Sequence, residues 1–468
     1  MRKIGGLIAT VLLLAAVLFI LGCPGDLWRP DRTGGKDELR IDPTAALDSA
    51  KEYRLVFWDY RLPVVTEDGS GYEELVAEAI AAFQTLYPNV TIEYRLLSVI
   101  DGRAELEKAL AAGTPPDVYG GRHEPAIIDS VLQVPAGLYF DEATRAEYAP
   151  AALAGVSAAN EIQAWPRWIS PRCWTGNGSL LAAAGVDVAS VTGNGWTWGE
   201  FEQAAVQLPA AGSKNYPLLL NDAGLTMFED VLLNSAAAQA AIKGEARIWN
   251  GAALGDTFAR IDTLRQKQIL PAGTNMQSML LTAYGDGKVM AAGGLGMWLL
   301  GKERERQQRR AQGLLPAAGE NETFATVLLP IPHDEGAENL LPIDVGSVTV
   351  FRQSAYRGDD CTRAAAEFAA FISRELERTI ADHLFFVPAR LRIAEAWLAD
   401  APLSYVNRRI CRQALQNGFA WQAGEIGRCR PDEAALSQIG GICTEFWSGK
   451  ISASDAAAAV AGIIGDGE

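Results

Sequence analysis

The stretch AFQTLYPNVTIEYR, residues 82–95, followed by ALAAGTPPDVYGG, residues 109–121, decides how this chain folds. Its first part closes an amphipathic run. In DGSGYEELVAEAIAAFQTLYP, residues 68–88, Leu75, Ala79, Ile80, Phe83 and Tyr87 recur at helical spacing, and Ser70 and Glu73 have the spacing of a capping box. Pro88 ends the helix, since it has no N–H to continue the ladder. Val90, Ile92, Tyr94 and Leu96 then alternate onto one face, the period of a strand. RAELEKALAAG, residues 103–113, reads as a second helix ending at Gly113, and DVYGG as a third short strand. Upstream, YRLVFW, residues 53–58, is an apolar run of strand length. The order β-α-β-α-β predicts the start of a mostly parallel, doubly wound α/β sheet.

Further helices are expected around residues 198–207, 253–267, 363–383 and 454–464, and short strands in FATVLLPIP and VGSVTVF. KERERQQRRAQ, residues 302–312, reads as a solvated helix face. No internal repeat is present. At the amino end, Arg2 and Lys3 precede an uncharged run from Ile4 to Gly22 that closes in FILGCPGD. A cleaved secretory signal and a membrane-spanning anchor both fit such a run. Ile20-Leu21-Gly22-Cys23 resembles the lipobox of bacterial lipoproteins, which implies a signal peptide over 1–22 and acyl chains on Cys23. That places the mature chain outside the cytoplasm, anchored to a bacterial membrane by lipid, with residues 23–50 as a flexible tether rich in Pro, Gly and charge.

Removal of 1–22 leaves 446 of 468 residues, too many for one compact core. The net charge moves from −16 to −18, because only Arg2 and Lys3 are lost, and this argues against nucleic acid or an anionic lipid face as partner. Of the five remaining cysteines, a pair is expected among Cys411, Cys429 and Cys443, the odd count leaves at least one free, and for Cys173 and Cys361 a small buried thiol is an equal reading.

Tyr87-Pro88-x-Val90 and the later Ala111-x-Gly113-x-x-Pro116-Asp117-Val118 resemble the extracellular solute-binding proteins of ABC importers, in the carbohydrate-binding group that includes maltose-binding protein. The similarity continues in order through NGSLLAAAGVD, TWGEFEQAAVQL, YGDGKVMAAGGLGMW, VLLPIPH, FFVPARLRIA and FWSGKISASDAAAAV, so it covers residues 52 to 465. Two departures stand out: Gly176-Asn177 replaces a frequent Tyr-Asn, and residues 388–450 follow no recognisable pattern. The resemblance implies a two-lobed periplasmic-binding-protein fold with a hinge. Its expected division is 51–162 for the first lobe, 163–335 for the second, a return to the first over 336–388, and completion of the second over 389–468. Chain crossings are expected near 161–165 and twice between 330 and 390. It also implies a monomeric receptor that takes a small polar ligand, a sugar or oligosaccharide, and passes it to membrane permease subunits.

In open α/β sheets ligands lie beyond the carboxyl ends of the strands. Those ends are Trp58-Asp59-Tyr60-Arg61 and Tyr119-Gly120-Gly121-Arg122-His123. A sugar needs an aromatic platform for its C–H face and charged or amide partners for its hydroxyls. Trp58, Asp59, Tyr60, Arg61, Tyr119, Arg122 and His123 are therefore candidate contacts. Trp165 and Trp168 near the expected hinge join them, as do Asp344 and Ser347 at the start of a returning strand, and Trp298 in the Gly-x-Trp position that the resemblance assigns to ligand stacking. For most tryptophans core packing competes with that role, and Trp196, Trp198 and Trp447 are read as core. Asp117 is expected to fix its turn. His123, His333 and His383 have neither triad order nor metal spacing, GDGKVM lacks the features of a P-loop, and no G-x-S-x-G elbow occurs, so neither catalysis, metal nor cofactor is expected. The other readings are a sensor or adaptor lipoprotein of the same fold and a glycoside-acting enzyme with a carboxylate pair.

Overall fold

Along Tyr53–Tyr60 every second side chain, Tyr53, Leu55, Phe57 and Asp59, turns inward, as a strand with one buried face requires. The computed structural model containing it describes residues 41–465 other than 67–68, 125–126, 159, 209–214, 222–223, 244–247, 272–276, 318, 320–321, 422–430 and 432. The expected signal peptide, Cys23, Cys429 and most of the expected tether thus lie outside the described residues. The fold is carried by the unit Pro43–Glu468. Residues 43–50, expected as tether, belong to it: Arg363 donates to the Pro43 carbonyl and Asn89 to that of Asp48, both at 3.0 Å.

The strands are β1 Tyr53–Tyr60, β2 Val90–Leu97, β3 Val118–Arg122, β4 Ser157–Ala158, β5 Glu161–Ile162, β6 Trp165–Pro171, β7 Trp174–Asn177, β8 Tyr216–Leu220, β9 Val289–Gly293, β10 Thr326–Leu329, β11 Ile343–Val350 and β12 Val387–Pro388. They form a six-stranded sheet in the order β12-β6-β11-β3-β1-β2, a four-stranded sheet in the order β10-β7-β9-β8, and the small hairpin β4-β5. The expected helices follow β1 and β2 as Tyr72–Leu86 and Gly102–Ala111.

Two sequence expectations need correction here. The first helix is capped one residue late, with Glu74 accepting from the Gly71 N–H at 3.0 Å in place of the Ser70 and Glu73 pair. The sheets are mixed, not mostly parallel: β1 pairs in parallel with β2 and β3, and β8 with β9, but β11 runs antiparallel to both β3 and β6. The cause is the chain path, since β11 enters the first sheet from the second lobe and so starts where β1 and β3 end. Cys411, one of the three cysteines among which a pair is expected, is a buried free thiol, as are Cys173 and Cys361, and Cys443 is buried. No described helix is long and apolar enough to cross a membrane.

The chain leaves the first sheet at residues 172–173, later than the expected 161–165, so Trp165 and Trp168 belong to the first sheet. It returns between β10 and β11. The crossing strands are tied side by side, with Arg172 N–H donating to the Pro342 carbonyl at 2.8 Å and Ile343 N–H to that of Phe419 at 2.9 Å. Helix Leu391–Asp400 packs on β12, and Tyr405–Asn417 packs against both Pro150–Gly155 and Val188–Asn194. The expected division at 389 therefore falls inside first-lobe packing. A core around Trp174, Trp196, Trp198, Phe228, Trp249, Phe258 and Trp447 fills the second lobe. Trp198 opens its helix behind Thr197, whose hydroxyl accepts from the Glu200 N–H at 3.3 Å while Glu200 accepts back at 2.7 Å, a capping box worth about 1 kcal/mol.

Candidate functional site

Two cavities lie between the lobes. The larger, about 710 Å³, is bounded by residues 61–65 after β1, by residues 71–74 at the start of the first helix, and by Val99, Leu384, Phe386 and Trp298. The smaller, about 220 Å³, lies where the chain crosses, among Arg122, Ser170, Arg172, Asp344, Thr226, Asp230 and the loop 294–297. Met297 lines one and Trp298 the other, so the start of helix Gly296–Ala311 is common to both.

Trp298 is half-buried on the large cavity, with the Lys302 ammonium 5.7 Å from its ring centre. Arg61 faces the same space and is paired with Glu73 at 2.9 Å. Trp168 reaches it indirectly: its ring stacks on Phe386, centroids 4.4 Å apart, and lies over Gly346, where a Cβ would stand only 2.0 Å from the indole. Arg122 and Asp344 come together at the small cavity, 4.0 Å apart.

The remaining candidates are placed elsewhere, and strand alternation explains most of them. Asp59 is 2% exposed and accepts from the Arg167 guanidinium at 2.9 Å and the Tyr72 hydroxyl at 2.7 Å. Arg167 also donates to the Tyr72 oxygen at 2.6 Å. Burial opposes the charge on Arg167, yet Asp59 and Tyr72 more than offset it and hold its pKa above the ordinary value. Burial likewise pushes the Tyr72 phenol up, so it stays a neutral donor. Asp59 is thus a locking residue, with room only because residue 120 is glycine: a Cβ there would lie 2.7 Å from its carboxylate. Tyr119 is buried with Leu97, Leu106, Ile128 and Phe351, its hydroxyl donating to Tyr60 at 3.2 Å, and Trp58 and Tyr60 pack on that cluster. Trp165 is buried against Tyr139 and Phe140, and Ser347 lies in the central strand β11 at 2% exposure. His123 is 4% exposed, its Nδ1 has no partner among the described residues, and burial lowers its pKa to about 4. Asp117 does fix its surroundings, accepting from Val56 N–H at 2.8 Å and pairing with Arg357.

Sequence reasoning missed Arg172 and its partners. Its guanidinium donates to Asp230 at 2.7 Å and Glu229 at 3.2 Å and lies 4.9 Å from the Trp421 ring centre. Burial raises the Asp230 carboxyl above its usual range even though Arg172 pulls the other way. The signal available was two adjacent acids, Glu229 and Asp230, inside an otherwise apolar helix, Leu225–Leu233. No group of three or more His, Cys, Asp or Glu side chains suited to a metal occurs among the described residues.

No protein-family model and no curated protein matches the sequence. Solved structures do match in fold. A chitin oligosaccharide binding protein aligns with a TM-score of 0.64 at 15% identity, over 88% of this chain and 98% of that one. An ABC substrate-binding protein from Listeria monocytogenes in complex with cycloalternan gives 0.61 at 15% identity, over 88% and 98%. A receptor from Streptomyces glaucescens, solved unliganded and with acarbose, gives 0.60 at 16% identity, over 89% and 100%. Each of these neighbours is named as a binding protein or receptor, and what they share with this chain at such identity is architecture. The chain has the two-lobed α/β fold of the sugar-binding receptors of ABC importers, as the order of its sequence motifs led us to expect.

Proposed function

We propose that the chain is a lipid-anchored, extracytoplasmic solute receptor that captures a sugar or oligosaccharide between its lobes and delivers it to an ABC permease. The observation that carries this reading is the interlobe cleft of about 710 Å³, within the range of small-molecule sites, with Trp298 from the second lobe facing Arg61, Glu73 and Glu74 from the first. A pyranose would stack on Trp298 and give its hydroxyls to that charged edge. Arg122 and Asp344 would serve a neighbouring part of the ligand. Because a ligand touching both lobes stabilises only their closed arrangement, binding shifts the population toward it, with residues 172–173, 330–342 and 418–421 as the hinge. Cys23 would hold the receptor at the membrane by its acyl chains, and no chemistry would be done on the ligand.

Thermal unfolding of the chain without residues 1–22 against sugars, oligosaccharides, polyols, polyamines and organic anions tests this. A ligand at 100 times its dissociation constant adds about 2.7 kcal/mol of stability. A shift with one sugar family is the expected result. Silence across carbohydrates with a shift elsewhere would keep a receptor and discard the sugar; silence throughout would remove the reading. Trp298→Ala is expected to weaken the ligand found by more than about tenfold, roughly 1.4 kcal/mol, with unfolding of the free protein unchanged. Unaltered affinity would refute stacking on Trp298.

A further inference from the structure

The wall of the large cleft differs from the wall a bare sugar requires. Apolar side chains, among them Leu62, Val65, Val99, Leu384, Phe386 and Trp298, supply most of it. Val65 and Val99 are 66% and 68% exposed, so apolar surface is held open to water at the mouth. The polar groups nearby are confined to one edge or turned away from the wall. Arg61 is paired with Glu73, Glu74 caps the first helix, and the Tyr72 hydroxyl is turned away into the contact with Asp59 and Arg167. Away from the charged edge, the apolar side chains of this wall offer a sugar hydroxyl no partner, and each unpaired buried hydroxyl costs about 1–3 kcal/mol. Hydrocarbon set against the same wall gains, since every buried methylene contributes about 0.8 kcal/mol. Polar chemistry survives only along one edge, at Arg61, Glu73 and Glu74, whose exposed charges can also serve a ligand.

Resting on the reading of the chain as a sugar receptor, we propose that its ligand is amphipathic: a glycoside, or a comparable polyol, bearing an aliphatic or aromatic substituent. The hydroxyl-bearing end lies at the Arg61–Glu73 edge. The hydrocarbon lies against Leu62, Val65 and Val99, opposite Trp298 and Phe386.

The test is calorimetric titration of the chain without residues 1–22, since the folded unit Pro43–Glu468 lies wholly within it. Glucose, xylose, N-acetylglucosamine and maltose would be compared with their methyl, phenyl and hexyl glycosides, all below micelle-forming concentrations. At least one phenyl or hexyl glycoside is expected to bind about tenfold or more tightly than its free sugar. Val99→Asp, at an exposed position, is expected to remove most of that gain while leaving the unfolding midpoint of the free protein unchanged. Free sugar and glycoside binding equally, or an undiminished gain in Val99→Asp, would overturn the amphipathic ligand and leave the sugar receptor standing. Hexanol or phenol binding as tightly as the glycosides would overturn both, as would the absence of binding by every compound.

Discussion

Arg167 and Arg172 stand five residues apart, one inside β6 and one just past its end, and they show what separates a lock from a boundary charge. Arg167 is 2% exposed and sits with one carboxylate, Asp59, and one phenol, Tyr72, a cluster with no net charge. Arg172 is 15% exposed, lies between the carboxylates of Asp230 and Glu229, and opens onto the small cavity with Arg122 and Asp344. The first arrangement is complete in itself and belongs to first-lobe packing. The second carries surplus negative charge at the point where the chain passes between lobes, and it keeps contact with solvent.

The sharpest way to break the comparison is to remove each cation. Arg167→Met leaves Asp59 charged in a sealed site, and breaking such a pair costs about 3–5 kcal/mol. Urea unfolding should show that loss, and a loss below about 1 kcal/mol would mean water reaches Asp59. A second buried group, His123, carries a marker of its own. Its imidazole is held near 4 in the folded protein against about 6.5 when unfolded, so the unfolded chain binds more protons between those values. Stability from this residue is therefore full above pH 6.5 and falls as pH drops toward 4, by about 3 kcal/mol. Unfolding at stepped pH should show that slope, and His123→Phe should flatten it. A slope identical in both proteins would place its origin in the carboxylates.

Arg172→Met should do less harm, about 2 kcal/mol at neutral pH, because Asp230 borders the small cavity and can take a proton. The sign of its pH dependence is opposite to that of His123. Burial already raises the Asp230 carboxyl, and loss of Arg172 raises it further, so the native state binds the proton more tightly than the unfolded chain. The variant's deficit should shrink in acid and grow as pH rises through the window above the unfolded carboxylate value of about 3.9. A deficit that does not vary with pH would show that Asp230 is ionised throughout and that Arg172 acts by packing on Trp421.

Both clusters were partly legible in the sequence. In the run that became β6, Arg167 has the same parity as Trp165, Ile169 and Pro171, all buried, and in β1 Asp59 has the parity of Tyr53, Leu55 and Phe57. A charge on an inward face demands a partner, so each strand announced a buried ion. That the two ions are partners, 108 residues apart, depends on β11 and β3 standing between their strands, and no local period encodes that. The same limit explains the outcome elsewhere. The opening β-α-β-α-β and the helix beginning at 198 are local and were readable. The antiparallel return of β11, the stacking of Trp168 on Phe386 and the meeting of Arg122 with Asp344 depend on contacts between distant segments. Strand-end position alone suggested Asp59, Tyr119 and His123 as ligand contacts, because the end of a strand is exposed only if its last inward residue is not needed to close the core.

The smallest expected effect completes the comparison on the open side. Arg61 and Glu73 are paired at 2.9 Å, but their side chains are 62% and 48% exposed, and exposed pairs contribute about 0–1 kcal/mol. Arg61→Ala should therefore leave urea unfolding within about 0.5 kcal/mol of the parent, in contrast to Arg167→Met. Its effect should appear in binding, because Arg61 and Glu73 form part of the charged edge of an otherwise apolar cleft. Affinity for the hydroxyl-bearing end of the ligand should fall severalfold, while the gain from a hydrocarbon substituent should persist. If Arg61→Ala destabilised the fold as Arg167→Met does, the two regions would not differ in kind, and the large cleft would be structural packing left unfilled.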